Sequence, residues 1–522
     1  MTNNTLIPSH IHSLADSIEE AFVKHKNLPA YSAIGQTKTF AEMDELSYKF
    51  ASYLRLKANL QPGDRIAIQL PNLIQNPIAV YGALRAGLVV VNTNPLYTPA
   101  EMAHQFNDSG AKALVILHDF LPKYEAIKDK VGIEIVISTD APQMITQKAI
   151  EGSSYPCLMS AINQAEGLTL PTRPEVNLDD TCVLQYTGGT TGVSKGAELT
   201  HGNILSNCEQ TMERLGASFV EGKEILVCPL PLYHIYAFTV SMLAFFVRGS
   251  MSVLIPNPRD MDAFVQQIKP FKFTAFAGLN TLFVGLCMHD EFKKVDVSAL
   301  KLTMSGGTAL TAAASDLWFK TTNCTVTEGY GLSETSPVAS FNTPTKERLG
   351  TVGTPLLNTD ILLLDDSDVP VPDGGAGQIA IKGPQVMKGY WQRQDETAKV
   401  MTSDGYFKTG DIGVREEDGC IKIVDRLKDL IIVSGFNVYP NEVEEALTQH
   451  PNILEAAVIG KPDDKTQERV CAYVTVSTEI DKNEVIEHCR KTLTAYKVPK
   501  EVNVLDELPK STVGKILRRE LR

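Results

Sequence analysis

The stretch that most constrains the fold is residues 186–196, YTGGTTGVSKG, where glycines and hydroxyl side chains surround a single lysine. It follows a short apolar run at 182–185 that reads as a strand. It precedes Thr200, which is placed to N-cap a helix running through Asn203, Ile204 and Leu205. A loop of this kind between strand and helix offers backbone N–H groups and side-chain O–H donors to an anion. Such donors hold a phosphate chain without a dense positive charge. The Walker A pattern G-x-x-x-x-G-K-[ST] does not fit, because Lys195 follows Ser194 and precedes Gly196. A plain surface turn of the same composition is the alternative.

A chain of 522 residues exceeds what one core accommodates, so two or more domains are expected. Its 43% hydrophobic and 21% charged residues are those of a globular protein. The formal net charge of −13 argues against nucleic acid as a partner. Nine cysteines without a C-x-x-C pair fit buried thiols in a reducing compartment better than disulfides or a zinc site. The opening MTNNTLIPSH lacks the basic and apolar regions of a signal peptide. The longest apolar stretch, 236–247, stops at Arg248, short of the roughly 20 residues of a membrane span. The expectation is a cytoplasmic protein, at most peripheral on the inner face of the cell membrane.

Helical phase is visible in Leu14, Ile18, Ala21 and Phe22, and again in Ala41, Met43, Leu46 and Phe50. Strand-like runs at 65–70, 88–91, 113–117 and 133–138 alternate with helices, which predicts α/β layers around largely parallel sheets. Residues 152–178 read as a connection. After about residue 340, runs at 361–364 and 378–381 separated by DDSD and PDGGAG turns predict a β-rich subdomain. A last unit from Arg426 alternates strands (456–459, 471–476) with helices (441–449, 482–492), a small α+β domain.

Five further segments carry chemistry. PLYHIYAF sets His234 among aromatic residues up to Phe238, a substrate wall or a packed core. SGGTAL at 305–310 ends a strand in glycines that let a flat ring approach the backbone, or make a tight turn. In EGYGLSET, 328–335, Tyr330 can stack on a base, Ser333 can donate to a phosphate and Glu334 can hold Mg²⁺, unless that carboxylate is merely solvated. Asp411 in KTGD can accept from ribose hydroxyls, with Arg426 of VDRLKD beside it, or both are surface ion-pairing residues. Lys515 follows a glycine in PKSTVGKILRREL, on a mobile-looking segment expected to open into a basic helix.

In order and spacing, YTGGTTGVSKG, YGLSETSP, YFKTGD, VDRLKD and PKSTVGKILRREL resemble the signature segments of the adenylate-forming acyl-CoA synthetase superfamily, along nearly the whole chain. Within it, six segments are most similar to bacterial long-chain fatty-acid–CoA ligases. They are NPLYTPAEM (94–102), QYTGGTTGVSKGAELTHGN (185–203), PLYHIYAF, KGPQVMKGYWQR (382–393), VSGFNVYPNEVE (433–444) and YKVPK (496–500).

The resemblance implies a fatty acid attacking ATP to give acyl-AMP and pyrophosphate, followed by coenzyme A displacing AMP. It implies a large N-terminal adenylate-forming domain, 1–425, and a small mobile C-terminal α+β lid, 426–522, hinged near Lys428. Thr187, Gly188, Gly189, Thr190, Thr191 and Lys195 would hold the β- and γ-phosphates. Gly307, Thr308, Glu328, Tyr330 and Gly331 would form the adenine side, and Asp411 and Arg426 the ribose side. Ser333 would contact the α-phosphate; many relatives carry Thr there, and either hydroxyl can donate. Glu334 and Thr187 would hold Mg²⁺. Lys515 would bridge carboxylate and α-phosphate as a positioned ammonium. His234 and Phe238, with the bulky stretch 276–283, would line the acyl tunnel, and Gly435 and Phe436 the coenzyme A channel. Transient contact with a membrane surface and a homodimer are compatible with it. Three rival readings stand beside this one: a medium-chain or aryl-CoA ligase, a ligase that stops at acyl-AMP, and a non-catalytic acyl- or nucleotide-binding module.

Overall fold

The structure, a computed structural model, describes residues 6–146, 154–173, 175–187, 194–372, 374–434, 436–463, 465–511 and 515–522. By compactness it divides into two units. The first is Met1–Leu349 with Pro355–Thr359 and Gly383–Lys399; the second is Gly350–Thr354, Asp360–Lys382 and Val400–Arg522.

In the first unit, Arg65–Gln69, Val89–Asn92 and Ala111–Leu117 pair in parallel, and Val89–Asn92 is buried at every residue. Strands covered on both faces need no polar–apolar alternation, which is why they read as continuous apolar runs. The sheet continues through Ile135–Thr139 on one side and Thr181–Thr187 on the other. There Lys195–Thr200 pairs antiparallel, and the short Gly389–Tyr390 adds the edge. Helices start where the sequence provides caps: Thr39 with Glu42 ahead of Phe40–Leu56, and Thr98 with Glu101 ahead of Pro99–Ser109, each a reciprocal capping box.

A second sheet of this unit runs in the order Val338–Phe341, Val326–Gly331, Leu302–Ser305, Ala275–Gly278, Ile225–Cys228, Met251–Leu254, Pro29–Ala33, Gln36–Thr39. Its strands from Val326–Gly331 to Pro29–Ala33 are parallel. Between Ile225–Cys228 and Met251–Leu254 lies a π-helix, Ala237–Ala244, buried throughout. It leads to Phe246, which stacks on Phe40 (centroids 4.5 Å apart) and on Tyr31 (5.7 Å).

In the second unit, Asp360–Leu364, Ala376–Lys382, Phe407–Arg415 and Ile421–Arg426 form an antiparallel sheet, the β-rich texture expected after residue 340. A further sheet orders Phe436–Val438, Ile431–Val433, Gln467–Val476 and Ile453–Asp463, with Glu501–Val504 parallel to Gln467–Val476. Helices Pro440–Thr448 and Lys482–Arg490 bury Val443, Leu447 and Val485 against it, giving the expected α+β arrangement.

Three local expectations differ. Thr200 caps helix His201–Leu215 as expected, but a strand, Lys195–Thr200, rather than the loop leads into it. The strands on either side of 188–193 pair antiparallel from Thr181↔Thr200 to Thr187↔Lys195, and helix His201–Leu215 begins only after the second of them. Ladder pairing of 195–200, including buried Ala197 and Leu199, outweighs the local glycine signal. Residues 515–521 form no basic helix: Lys510 bridges Ile516, and only Arg518–Leu521 turns, as a short 3-10 segment. Arg518 is drawn inward by Glu444 and Asn441, so ion pairing rather than helix propensity sets its place. The expected connection at 152–178 contains a helix, Leu158–Gln164.

Candidate active site

The hairpin Thr181–Thr187 and Lys195–Thr200 brings Thr187 opposite Lys195. Gly188, Gly189, Thr190 and Thr191 lie outside the described residues, as does Gly435. Helix His201–Leu215 anchors the neighbouring segment, because the amide of Asn203 donates to the carbonyls of Pro384 (2.8 Å) and Val386 (2.9 Å). From there Lys388 N donates to Glu198 O, Trp391 N donates to Gly196 O, and Tyr390 pairs with Ala197. The half-buried Tyr390 is thereby laid beside Lys195, whose ammonium lies 5.1 Å from the ring centroid and pairs with Glu396. Glu396 is held at about 2 by the hydrogen bonds of Lys195 and Lys399.

Glu334 sits on the 3-10 turn Ser333–Thr335, which packs against this hairpin, and it is 8% exposed. Its Oε1 accepts from the hydroxyl of Tyr390 at 2.8 Å, and its carbonyl accepts from Met387 N at 2.8 Å. The residues expected on the adenine side gather at the carboxyl ends of two adjacent parallel strands, where open α/β sheets place ligands. Ser305 is in register with Glu328, so the loop holding Gly307 and Thr308 runs beside Tyr330. Gly307 has a φ of 89°, and a Cβ there would meet Leu279 Cδ2 at 4.0 Å, an ordinary contact. Gly331 is required by packing, since a Cβ there would lie 1.8 Å from the carbonyl oxygen of Pro337. Glu328 is buried; its carboxylate accepts from Leu310 N at 2.9 Å and ties down the end of the loop. Burial pushes its carboxyl up to about 7.

His234 is half-buried, and its Nδ1 accepts from Tyr236 N at 3.3 Å; Phe238 is fully buried on the π-helix. Phe276 and Phe283 pack on Trp318 at 5.1 and 5.0 Å, a core arrangement.

The remaining predicted residues belong to the second unit. Asp411 is 5% exposed and pairs with Arg426 (3.2 Å), directly opposite it across two antiparallel strands. Lys428 lies on the exposed turn Leu427–Asp429. Lys515 is half-buried; its N donates to Ser511 Oγ at 3.1 Å and its carbonyl accepts from Ser511 N at 2.7 Å. Burial and then the charge of Arg426 push its ammonium down to about 7, opposed by Asp411. So Asp411, Arg426 and Lys515 are brought within electrostatic reach of one another. Phe436 is exposed and stacks on Tyr496 at 5.0 Å.

Two residues were passed over in the sequence. Tyr390 stands inside KGPQVMKGYWQR without an assigned role, and Arg518 falls in the expected basic helix without one. Arg518 instead donates to Glu444 (2.7 Å) and Asn441 (2.5 Å), with Asp429 at 3.4 Å and the fully buried Asp425 at 3.7 Å. Four acceptors around one guanidinium hold the segment that carries Lys515.

Residues 18–391 match the AMP-binding enzyme family, and residues 442–515 match the AMP-binding enzyme C-terminal domain. This chain belongs to the AMP-binding enzyme family. It is similar to the long-chain-fatty-acid–CoA ligase of Escherichia coli O6:H1, at 43% identity over 99% of this chain and 95% of that one. The Bacillus subtilis protein of the same name is 36% identical over the same shares. Among solved structures, ATP-bound MatB from Rhodopseudomonas palustris superposes with a TM-score of 0.87 at 28% identity, covering 98% of both chains. The family resemblance and the adenylate-forming α/β fold expected from the signature segments are therefore established.

Proposed function

We infer that this chain is a long-chain-fatty-acid–CoA ligase that forms acyl-AMP first and acyl-CoA second. The observation that carries this is identity above 40% along essentially the whole chain to ligases of that name. In the first step a carboxylate oxygen attacks the α-phosphorus of ATP and the bond to pyrophosphate breaks. In the second, the sulfur of coenzyme A attacks the acyl carbonyl, and AMP leaves with the electron pair of the broken C–O bond. The chemical need is to neutralise charge growing on phosphate oxygens and to keep water from the mixed anhydride.

The residue roles follow from what each group can do. Lys195 and Thr187, with Gly188, Gly189, Thr190 and Thr191, take the outer phosphates. Gly307, Thr308, Glu328, Tyr330 and Gly331 take the base, with Glu328 acting through the loop it ties. Asp411 and Arg426 take the ribose, and Ser333 the α-phosphate. Lys515 places its ammonium against the carboxylate and α-phosphate as negative charge builds. His234 and Phe238 line the acyl chain, and Gly435 and Phe436 the coenzyme A channel. In this reading the large domain ends at 425, the lid begins at 426, and the pivot is Lys428.

Mg²⁺ is bound by few protein oxygens together with substrate phosphates. A buried Glu334 with one oxygen satisfied by a neutral hydroxyl, and the hydroxyl of Thr187, are hard donors of that kind. When bound, the ion would spread phosphate charge and orient the polyphosphate.

Among the described residues no helix is long and apolar enough to cross a membrane. A cytoplasmic enzyme with transient contact to the inner membrane face suits substrates that partition into bilayers. A homodimer stays part of the proposal.

A second reading has a specific basis. The 4-coumarate–CoA ligase of Pinus taeda is 32% identical over 94% of this chain, so an aryl acid is the alternative substrate. ATP–pyrophosphate exchange over palmitate, oleate, octanoate and cinnamate, followed by coenzyme A, separates the two. The expected result is exchange driven by palmitate and oleate, ending in thioester. Lys515→Ala should lower exchange by at least about 100-fold. Exchange with cinnamate alone would sink the long-chain assignment, and exchange without thioester would indicate a ligase that stops at acyl-AMP.

A further inference from the structure

Segment 387–390 touches Glu334 twice: Met387 N donates to its carbonyl, and the Tyr390 hydroxyl donates to its carboxylate, both at 2.8 Å. The other side of the same tyrosine faces Lys195, with the ammonium 5.1 Å from the ring centroid. Tyr390 has little freedom to move. Its backbone is laddered to Ala197, its N donates to Thr397 Oγ1 at 2.9 Å, and Trp391 N donates to Gly196 O. One rigid ring thus stands between a buried carboxylate and a lysine that come from distant parts of the chain.

We propose that Tyr390 is a positioning residue that sets both charged groups of the nucleotide site at once, its hydroxyl aiming the Glu334 carboxylate and its ring carrying the Lys195 ammonium. This rests on the reading above that Glu334 and Lys195 serve the nucleotide. A carboxylate rotates over a broad range about its last torsion. A single O–H donor on Oε1 removes that freedom without cancelling the negative charge, as a lysine in the same place would. A tyrosine hydroxyl keeps its proton at physiological pH, and at 2.8 Å from the Glu334 carboxylate it is the donor. On the other face, an aromatic ring attracts an ammonium without fixing its direction. Lys195 can therefore exchange its half-exposed partner Glu396 for an outer phosphate while keeping its stem on the ring.

The two contacts separate by substitution. Tyr390→Phe keeps the ring and removes the hydroxyl; Tyr390→Leu removes both. The measurement is ATP binding to the full chain by calorimetry, without acyl acid, so that no turnover occurs, in excess EDTA and in Mg²⁺. Tyr390→Phe should bind ATP as wild type does in EDTA and lose about tenfold of the affinity gained from Mg²⁺. Tyr390→Leu should bind ATP several-fold more weakly in both conditions. Thioester formation from preformed acyl-AMP and coenzyme A should stay near wild type in both variants, which a general loss of structure would not allow. A Tyr390→Phe protein with the full Mg²⁺ gain, or with equal losses in EDTA and Mg²⁺, overturns the proposal. Glu334→Gln measured alongside tells the two levels apart. If it too keeps the full gain, the assignment of Glu334 to the metal fails and the proposal falls with it. If only Tyr390→Phe keeps it, the tyrosine's role alone is refuted.

Discussion

Lys195 and Lys515 are both half-buried, yet their surroundings treat them in opposite ways. Lys195 faces a carboxylate, Glu396, and an aromatic ring. Lys515 is set among cations (Arg426, Lys428 and Arg518), with Asp411 the opposing charge, and its ammonium is pushed down to about 7. A lysine parked on a carboxylate needs only to exchange one anion for another. A lysine crowded by cations is poised to gain from any anion that arrives. The first arrangement suits holding a phosphate chain, the second suits charge that appears only during reaction.

Removing the frame around Lys515 should have the largest effect. Arg518→Met leaves Asp425, Asp429 and Glu444 without their shared cation, and breaking such a buried network costs about 3 kcal/mol. A urea midpoint lowered to match is expected, with adenylation reduced more than thioester formation. Next comes pH. In the free enzyme Lys515 loses its proton as pH rises through about 7, so kcat/KM for ATP in the exchange reaction should fall above that value. Lys515→Arg, which keeps its proton, should flatten that limb while lowering the plateau. An alkaline limb unchanged in Lys515→Arg would assign the titration elsewhere.

Smaller effects belong to the other cluster. Glu396→Gln frees Lys195 from its resting partner, so KM for ATP should drop about two- to fourfold with kcat little changed. A KM that rises would mean that Glu396 helps to place the lysine instead. Glu328 gives a stability signature. Its carboxyl is pushed up to about 7 in the folded chain, above the ordinary value near 4.5. Between those values the folded state binds more protons than the unfolded one, so stability contributed by Glu328 declines as pH rises through the window. Glu328→Gln should remove that part of the slope in melting temperature between pH 5 and pH 7.

Much of this was readable in the chain. The parallel strands announce themselves as β-branched runs such as Val89–Asn92, and Thr200 as the cap of His201–Leu215, because burial on both faces and a missing N–H partner are local demands. Asp411 and Arg426 could be paired from their motifs, and the antiparallel register realises the pair. The hairpin after Thr187 was hidden because Gly389–Tyr390, which completes its edge, is almost two hundred residues away. Tyr390 and Arg518 were missed for the same reason. Their partners Glu334 and Asp425 are remote in sequence, and a tyrosine or arginine in a polar segment carries no sign of what it will meet.

The π-helix Ala237–Ala244 has a consequence for descent. Its wider winding is equivalent to one residue inserted into an α-helix. Deleting one residue there would turn everything downstream by about 100° relative to everything upstream. Phe246 is locked by its stacking on Phe40 and Tyr31, so the rotation would fall on His234 and Phe238 instead. Lineages of this chain are therefore free to vary the 234–244 segment by exchanging side chains, and are barred from varying it by changing the number of residues.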